Sequence, residues 1–127
     1  MEDFVTFEIA KKLKENGFIG NVDIGQYGGY YYHDGEDIDV WYDYVDNANI
    51  AANEYLRPTI SQALTWLRKD KNIFVVVFID DDSDCPITYN IFKGTVCAYH
   101  HHGNYYTLSE WSKCELAGIE YILDNLI

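Results

Sequence analysis

Positive charge is scarce in this chain. Its 127 residues hold 9 Lys+Arg against 21 Asp+Glu, a formal net charge of −12. Between Lys14 and Arg57 there is no basic side chain at all. Direct binding to nucleic acid or to an anionic membrane is therefore not expected, because both carry the same sign as the protein. Long apolar runs are missing too: the longest, Ile73 to Ile79, is far too short to cross a bilayer. No charged n-region followed by an apolar stretch opens the sequence, so a cytoplasmic protein is expected. Three cysteines, Cys85, Cys97 and Cys114, are an odd number without the spacing of a disulfide framework. They read as small fillers in a reducing compartment.

The motifs of common chemistries are also absent. No C-x-x-C or H-x-x-x-H pair is present to hold zinc. Asp80-x-Asp82-x-Asp84 begins like a calcium loop, but its sixth position is Cys85 instead of glycine and its twelfth is Ile91 instead of glutamate. A solvated turn is the better reading. His100-His101-His102 lacks a third ligand at fixed spacing and reads as partly exposed histidines. Gly25-Gln26-Tyr27-Gly28-Gly29 precedes neither Lys-Ser/Thr nor a helix start, so it is not a phosphate loop. There is no G-x-S-x-G nucleophile motif. The sequence thus predicts no catalytic residue, no metal site and no cofactor, and points away from an enzyme.

What is present is an ordered alternation of helix and strand signals. A hydrophobic share of 48% with 17% aromatics suits one folded domain over residues 1–127. Thr6 is placed to cap a helix whose face is Ile9, Ala10 and Leu13, with Gly17 as its left-handed stop and Phe18 folding back. From Asn21 to Asn49 glycines punctuate a tyrosine-rich tract that reads as β structure, with Asp34-Gly35 as a hairpin turn. Ile38, Val40, Tyr42 and Tyr44 alternate there with Asp37, Asp39, Trp41 and Asp43, the pattern of a half-buried strand. Ile50–Tyr55 is ambiguous and is read as a short helical turn. Thr59 and Gln62 form a capping box that opens a second helix, basic at its end through Arg68, Lys69 and Lys71.

Ile73–Ile79 then reads as a central strand covered on both faces. Ile87–Phe92 and Thr95–Tyr99 follow as strands joined at Lys93-Gly94. Thr107-Leu108-Ser109-Glu110 is a second capping box, opening a helix to about Asn125. The apolar arc of that helix spans Trp111, Leu116, Gly118, Ile119, Ile122, Leu123 and Leu126, a width that implies deep docking or a homodimer. The expected fold class is α+β, three helices packed on an antiparallel sheet of four or five strands.

Two of these stretches carry a resemblance. Thr6-Phe7-Glu8-Ile9-Ala10-Lys11-Lys12-Leu13-Lys14-Glu15-Asn16-Gly17-Phe18 is one, and Pro58-Thr59-Ile60-Ser61-Gln62-Ala63-Leu64-Thr65-Trp66-Leu67-Arg68 is the other. With the closing Leu123-Asp124-Asn125-Leu126-Ile127 they resemble a set of short uncharacterised proteins of gut bacteria, their phages and mobile elements. The resemblance covers about a third of the chain. It lies in caps and core faces, so it implies a fold and an origin but no activity. The glycine–tyrosine tract departs from that set, which makes it the place for a specific function.

Two functions fit these residues. If Asp37, Asp39 and Asp43 share a strand face, charges two residues apart on it stand about 6.7 Å from each other, twice the rise per residue. Together with Asp34, Glu36, Trp41, Asp80, Asp81, Asp82 and Asp84 they would form an acidic surface of nucleic-acid-mimic character. Its partner would be a host protein with a basic surface, such as a defence nuclease. The alternative is a small-ligand binder in which Tyr30, Tyr31, Tyr32, Trp41 and Tyr99 line a pocket for a nucleotide-like molecule.

Overall fold

The computed structural model describes residues 3–18, 29–41, 52–80, 84–101 and 105–127. The chain divides into two compact units, Met1–Gln62 and Ala63–Ile127. The class is α+β: the described residues form three α-helices and two three-stranded antiparallel sheets. A single sheet of four or five strands, as the sequence patterning implies, is not what forms. Strand signals report a local preference for extended backbone, whereas sheet membership depends on pairing partners distant in sequence.

In the first unit, α1 (Phe7–Glu15) begins where Thr6 Oγ1 accepts from the Ile9 N–H at 3.3 Å. It ends at Gly17, whose φ of 90° is open to glycine. The Phe18 N–H donates to the Leu13 carbonyl (2.9 Å) and the Gly17 N–H to that of Lys14 (3.2 Å). These are the two bonds of a Schellman stop, and Phe18 is buried beyond it. Three strands follow: β1 (Tyr30–Asp34), β2 (Asp37–Trp41) and β3 (Glu54–Leu56), in the order β2-β1-β3. Gly35 and Glu36 form the two-residue hairpin loop, with Gly35 at φ 61°. Residues 54–56 are extended along β1, which corrects the helical turn expected over Ile50–Tyr55; Ile50 and Ala51 lie outside the described residues.

The unit boundary falls within the first turn of α2 (Ile60–Lys71). The capping box predicted there is present: Thr59 N–H donates to Gln62 Oε1 (2.8 Å) and Gln62 N–H to Thr59 Oγ1 (3.1 Å).

In the second unit, β4 (Ile73–Ile79), β5 (Ile87–Lys93) and β6 (Val96–His100) form a meander, with β5 in the middle. The placement of Ile73–Ile79 as a central strand covered on both faces is therefore corrected. β5 pairs with both of its neighbours in sequence, and among the described residues β4 is left at the edge of the sheet. Val76 and Ile79 are 42% and 62% exposed there. The second capping box opens as a 3₁₀ turn, Leu108–Glu110, and continues as α3 (Trp111–Asn125). Thr107 N–H donates to Glu110 Oε1 at 3.0 Å, and this bond, followed by that from the Thr107 hydroxyl, holds the Glu110 carboxyl below its ordinary range.

α3 lies against β4 and β5 and buries Cys114, Gly118, Ile119, Ile122 and Leu123. Docking within the chain thus accounts for most of its wide apolar arc, with Trp111 left exposed. Of the three cysteines only Cys114 is a core filler, since Cys85 and Cys97 are exposed. They flank turns and an outer strand, positions that periodicity in the sequence does not separate from the core. Among the described residues no helix is long and apolar enough to cross a membrane.

Gly118 sets the distance between helix and sheet. A Cβ built there would stand 2.6 Å from Val75 Cγ1, 3.2 Å from Cγ2 and 3.5 Å from Tyr89 Cδ2. Gly118→Ala should therefore destabilise the protein by roughly 1–3 kcal/mol, overpacking outweighing a gain of at most about 1 kcal/mol in helix propensity. Adding Val75→Ala should recover part of the loss, read from urea midpoints of the two variants.

Candidate functional site

A pleated strand turns alternate side chains to opposite faces, and residues opposite each other in neighbouring strands share a face. In the first unit the register sets Tyr31 opposite Val40 and Tyr55, and His33 opposite Ile38. This face is covered by α1. Phe7 meets Tyr31, His33 and Tyr55 edge-on, with ring centroids at 5.8, 5.4 and 5.3 Å. The Tyr31 hydroxyl donates to the Val5 carbonyl, and the Arg57 guanidinium sits 4.0 Å from the Phe4 ring centroid and 5.7 Å from that of Tyr31. Lys14 Nζ donates to the carbonyls of Glu54 (2.8 Å) and Ala52 (3.4 Å) and lies 4.8 Å from the Tyr55 ring centroid. Burial, partly offset by Glu54, lowers its ammonium from the ordinary lysine value.

The other face is where the carboxylates go. Asp34 lies opposite Asp37, and Tyr32 has Asp39 on one side and Glu54 on the other. Asp34, Tyr32 and Tyr30 alternate onto this same face along β1. The result is two rows across the sheet, Asp37–Asp34 and Asp39–Tyr32–Glu54. Asp34, Glu36, Asp37 and Asp39 are exposed. Among the described residues no hydrogen bond or ion pair engages any of those four side chains. Like charges directly opposite in a strand pair oppose folding by roughly 0.2–1 kcal/mol. The Asp34–Asp37 pair is therefore a cost to the isolated protein, and one that a cation on a partner would relieve.

The remaining expected site residues are placed as follows. Trp41 ends β2, its backbone opposite Tyr30. Asp43, Asp81 and Asp82 lie outside the described residues, as do Tyr42, Tyr44 and His102. Asp80 and Asp84 are exposed at the turn after β4, in the second unit, where Asp80 N–H donates to the Pro86 carbonyl. The three consecutive tyrosines of β1 do not act together: Tyr31 belongs to the face under α1, Tyr30 and Tyr32 to the acidic face. Glu54 joins that face without any signal in its own sequence neighbourhood, because only the β1–β3 pairing brings it there. Among the described residues no group of three His, Cys, Asp or Glu side chains is arranged to hold a metal ion.

Tyr99 belongs to a separate aromatic cluster in the second unit. Its ring stacks on Tyr121 with centroids 3.8 Å apart, and Tyr89 stacks on His101 at 4.6 Å. Reciprocal backbone bonds between Ile87 and Tyr106 (2.9 and 2.8 Å) bring Tyr106 to the same cluster, 6.3 Å from His101 by ring centroids. Burial raises the Tyr89 hydroxyl above its ordinary value, helped by Tyr99, Tyr106, Cys114 and Tyr121. Burial likewise raises Tyr106, and it pushes the Cys114 thiol from 9.0 up to about 12, with Glu115 adding to the shift. Such a thiol stays protonated at neutral pH and is a poor nucleophile. Tyr99 is thus occupied in ring stacking inside its own unit.

Comparison with protein-family models, with curated proteins and with solved structures found no match to this chain.

All three raised acids, Tyr89, Tyr106 and Cys114, favour folding only in their neutral forms. Their contribution is complete below the unfolded values of 9.0 for the thiol and 10.0 for the phenols; the thiol's is lost as pH rises toward about 12, and that of the phenols is lost at pH values above their ordinary one. Thermal midpoints should therefore fall progressively above about pH 9. At neutral pH, Cys85 and Cys97 should react with iodoacetamide in the native protein, and Cys114 only after unfolding. A native protein labelled at all its thiols would contradict the buried placement of Cys114.

Proposed function

We propose that this chain is a non-enzymatic, cytoplasmic binding protein of phage or mobile-element origin. It inhibits a host nucleic-acid-handling protein, of the kind used in defence, by occupying that protein's basic surface with the acidic face of β1 and β2. The observation that carries this reading is the exposed set Asp34, Glu36, Asp37 and Asp39, whose carboxylates have no cation or hydrogen-bond donor of their own among the described residues. A regular row of fixed negative charge beside tyrosines supplies what a basic groove recognises in a nucleic-acid backbone: charge at short repeat, with flat rings between. Pairing of β1 with β2 fixes the register of that row, which limits the ordering entropy lost on docking. The net charge of −12 adds long-range attraction toward any cationic partner and speeds encounter.

The test is affinity capture of the tagged protein from host lysate, with and without nuclease, at low and high salt. A stoichiometric partner with a basic surface should be retained after nuclease and lost at high salt, since exposed charges are screened within about 10 Å at 0.1 M. Asp37→Lys separates binding from folding. It places a cation opposite Asp34, so it should raise thermal stability slightly while weakening the complex by roughly tenfold or more. Recovery of the bait alone, or a complex indifferent to salt and to Asp37→Lys, would overturn the reading.

A further inference from the structure

The edge strand β4 reads Ile73-Phe74-Val75-Val76-Val77-Phe78-Ile79, the same in both directions about Val76. Its backbone polarity follows from two bonds at its ends. Asp80 N–H donates to the Pro86 carbonyl at 2.8 Å, and Gly94 N–H to the Asn72 carbonyl at 2.9 Å. With Ile73 opposite Lys93 and Ile79 opposite Ile87, the even-numbered residues turn their N–H and C=O groups toward β5. Ile73, Val75, Val77 and Ile79 turn theirs to the outer edge. Among the described residues no strand pairs with that edge. β4 also lacks the features that usually blunt an edge, having no charge and no proline. The other outer strands differ: β2 carries Asp37 and Asp39, β3 is only three residues long and carries Glu54, and β6 pairs through a register shift at Ile91/Phe92.

We propose that β4 pairs antiparallel with the β4 of a second copy, about a two-fold axis through Val76. In that register Ile73 lies opposite the partner's Ile79, and Val75 opposite the partner's Val77. All of these carry outward backbone groups, so each pair exchanges both of its N–H···O bonds. Phe74 meets the partner's Phe78 and Val76 meets the partner's Val76 in the non-hydrogen-bonded sites, where Cα atoms approach to about 4.5 Å. The palindrome is what selects a second copy as the occupant. Every apolar residue finds its own kind opposite, hydrogen-bonding polarity matches, and the exposed surface of Val76 and Ile79 is covered. The dimer joins two three-stranded sheets into one of six strands, and it rests on none of the features behind the acidic-face reading.

The opposing force is repulsion between two chains of net charge −12, so salt should strengthen this association where it weakens the acidic-face complex. Sedimentation of the full chain over a concentration series should show a monomer–dimer equilibrium that shifts toward dimer as salt is raised. Val76→Lys brings two like charges together at the axis and should weaken dimerisation roughly tenfold or more without lowering the thermal midpoint of the dilute monomer. On a Cys85→Ser, Cys97→Ser background, Val76→Cys should give a disulfide-linked dimer under mild oxidation. Ile79→Cys should not, because position 79 lies about 20 Å along the strand from its copy. A chain that stays monomeric throughout would overturn the proposal. So would a dimer unaffected by Val76→Lys, or Ile79→Cys cross-linking as readily as Val76→Cys.

Discussion

The packing of Phe7 against Tyr31, His33 and Tyr55 is the contact on which the arrangement of the first unit depends. It commits α1 to one face of the three-stranded sheet. Because side chains alternate along a strand, that commitment sends Asp34, Asp37 and Asp39 to the opposite face. A one-residue slip between β1 and β2 would bring carboxylates under the helix, where desolvating an unpaired charge costs several kcal/mol. The same aromatic contact that builds the core thus presents the acidic rows. The exposed acidic face and the packed aromatic face share one register.

The second unit solves a different problem. Its sheet has a single well-covered strand, β5, where Ile87, Thr88, Tyr89 and Ile91 are buried, and its helix approaches β4 closely because Gly118 has no side chain. Tyr89, Tyr99, Tyr106 and Tyr121 bring hydroxyls into a mostly apolar setting, and burial holds Tyr89 and Tyr106 in their neutral forms. The cost of this arrangement appears only at alkaline pH. Polar and apolar edges are also distributed unevenly: one sheet has a charged outer strand and the other a neutral, self-complementary one.

Much of the local structure was legible without coordinates. Thr6, Gly17, the Thr59–Gln62 box, the Thr107–Glu110 box and the Gly35 turn all act where the sequence places them, because caps and turns depend on atoms within a few residues of one another. The alternation that puts Asp37 and Asp39 on one face was legible for the same reason. Tyr30, Tyr31 and Tyr32 show where such reasoning stops. As consecutive residues they look like one aromatic patch, yet the pleat sends Tyr31 under α1 and its neighbours to the other side. Glu54 comes to lie beside Tyr32 only through the pairing of β3 with β1, and it belongs to a stretch, Ile50–Tyr55, whose local pattern is ambiguous and reads as a short helical turn.

What the sequence determined by itself was the set of elements, their caps, and a charge distribution that leaves a long tract without a single cation. These are properties of near neighbours and of composition, and they survive any choice of tertiary arrangement. The tertiary structure decided that the strands form two sheets instead of one, that Ile73–Ile79 lies at an edge, and that Tyr99 is engaged with Tyr121. Each of these depends on which distant segments pair, and the free energy of pairing resides in contacts between residues far apart in the chain. An uninterrupted apolar run signals a surface that favours leaving water. It does not say whether a sheet, a helix or another molecule will cover it.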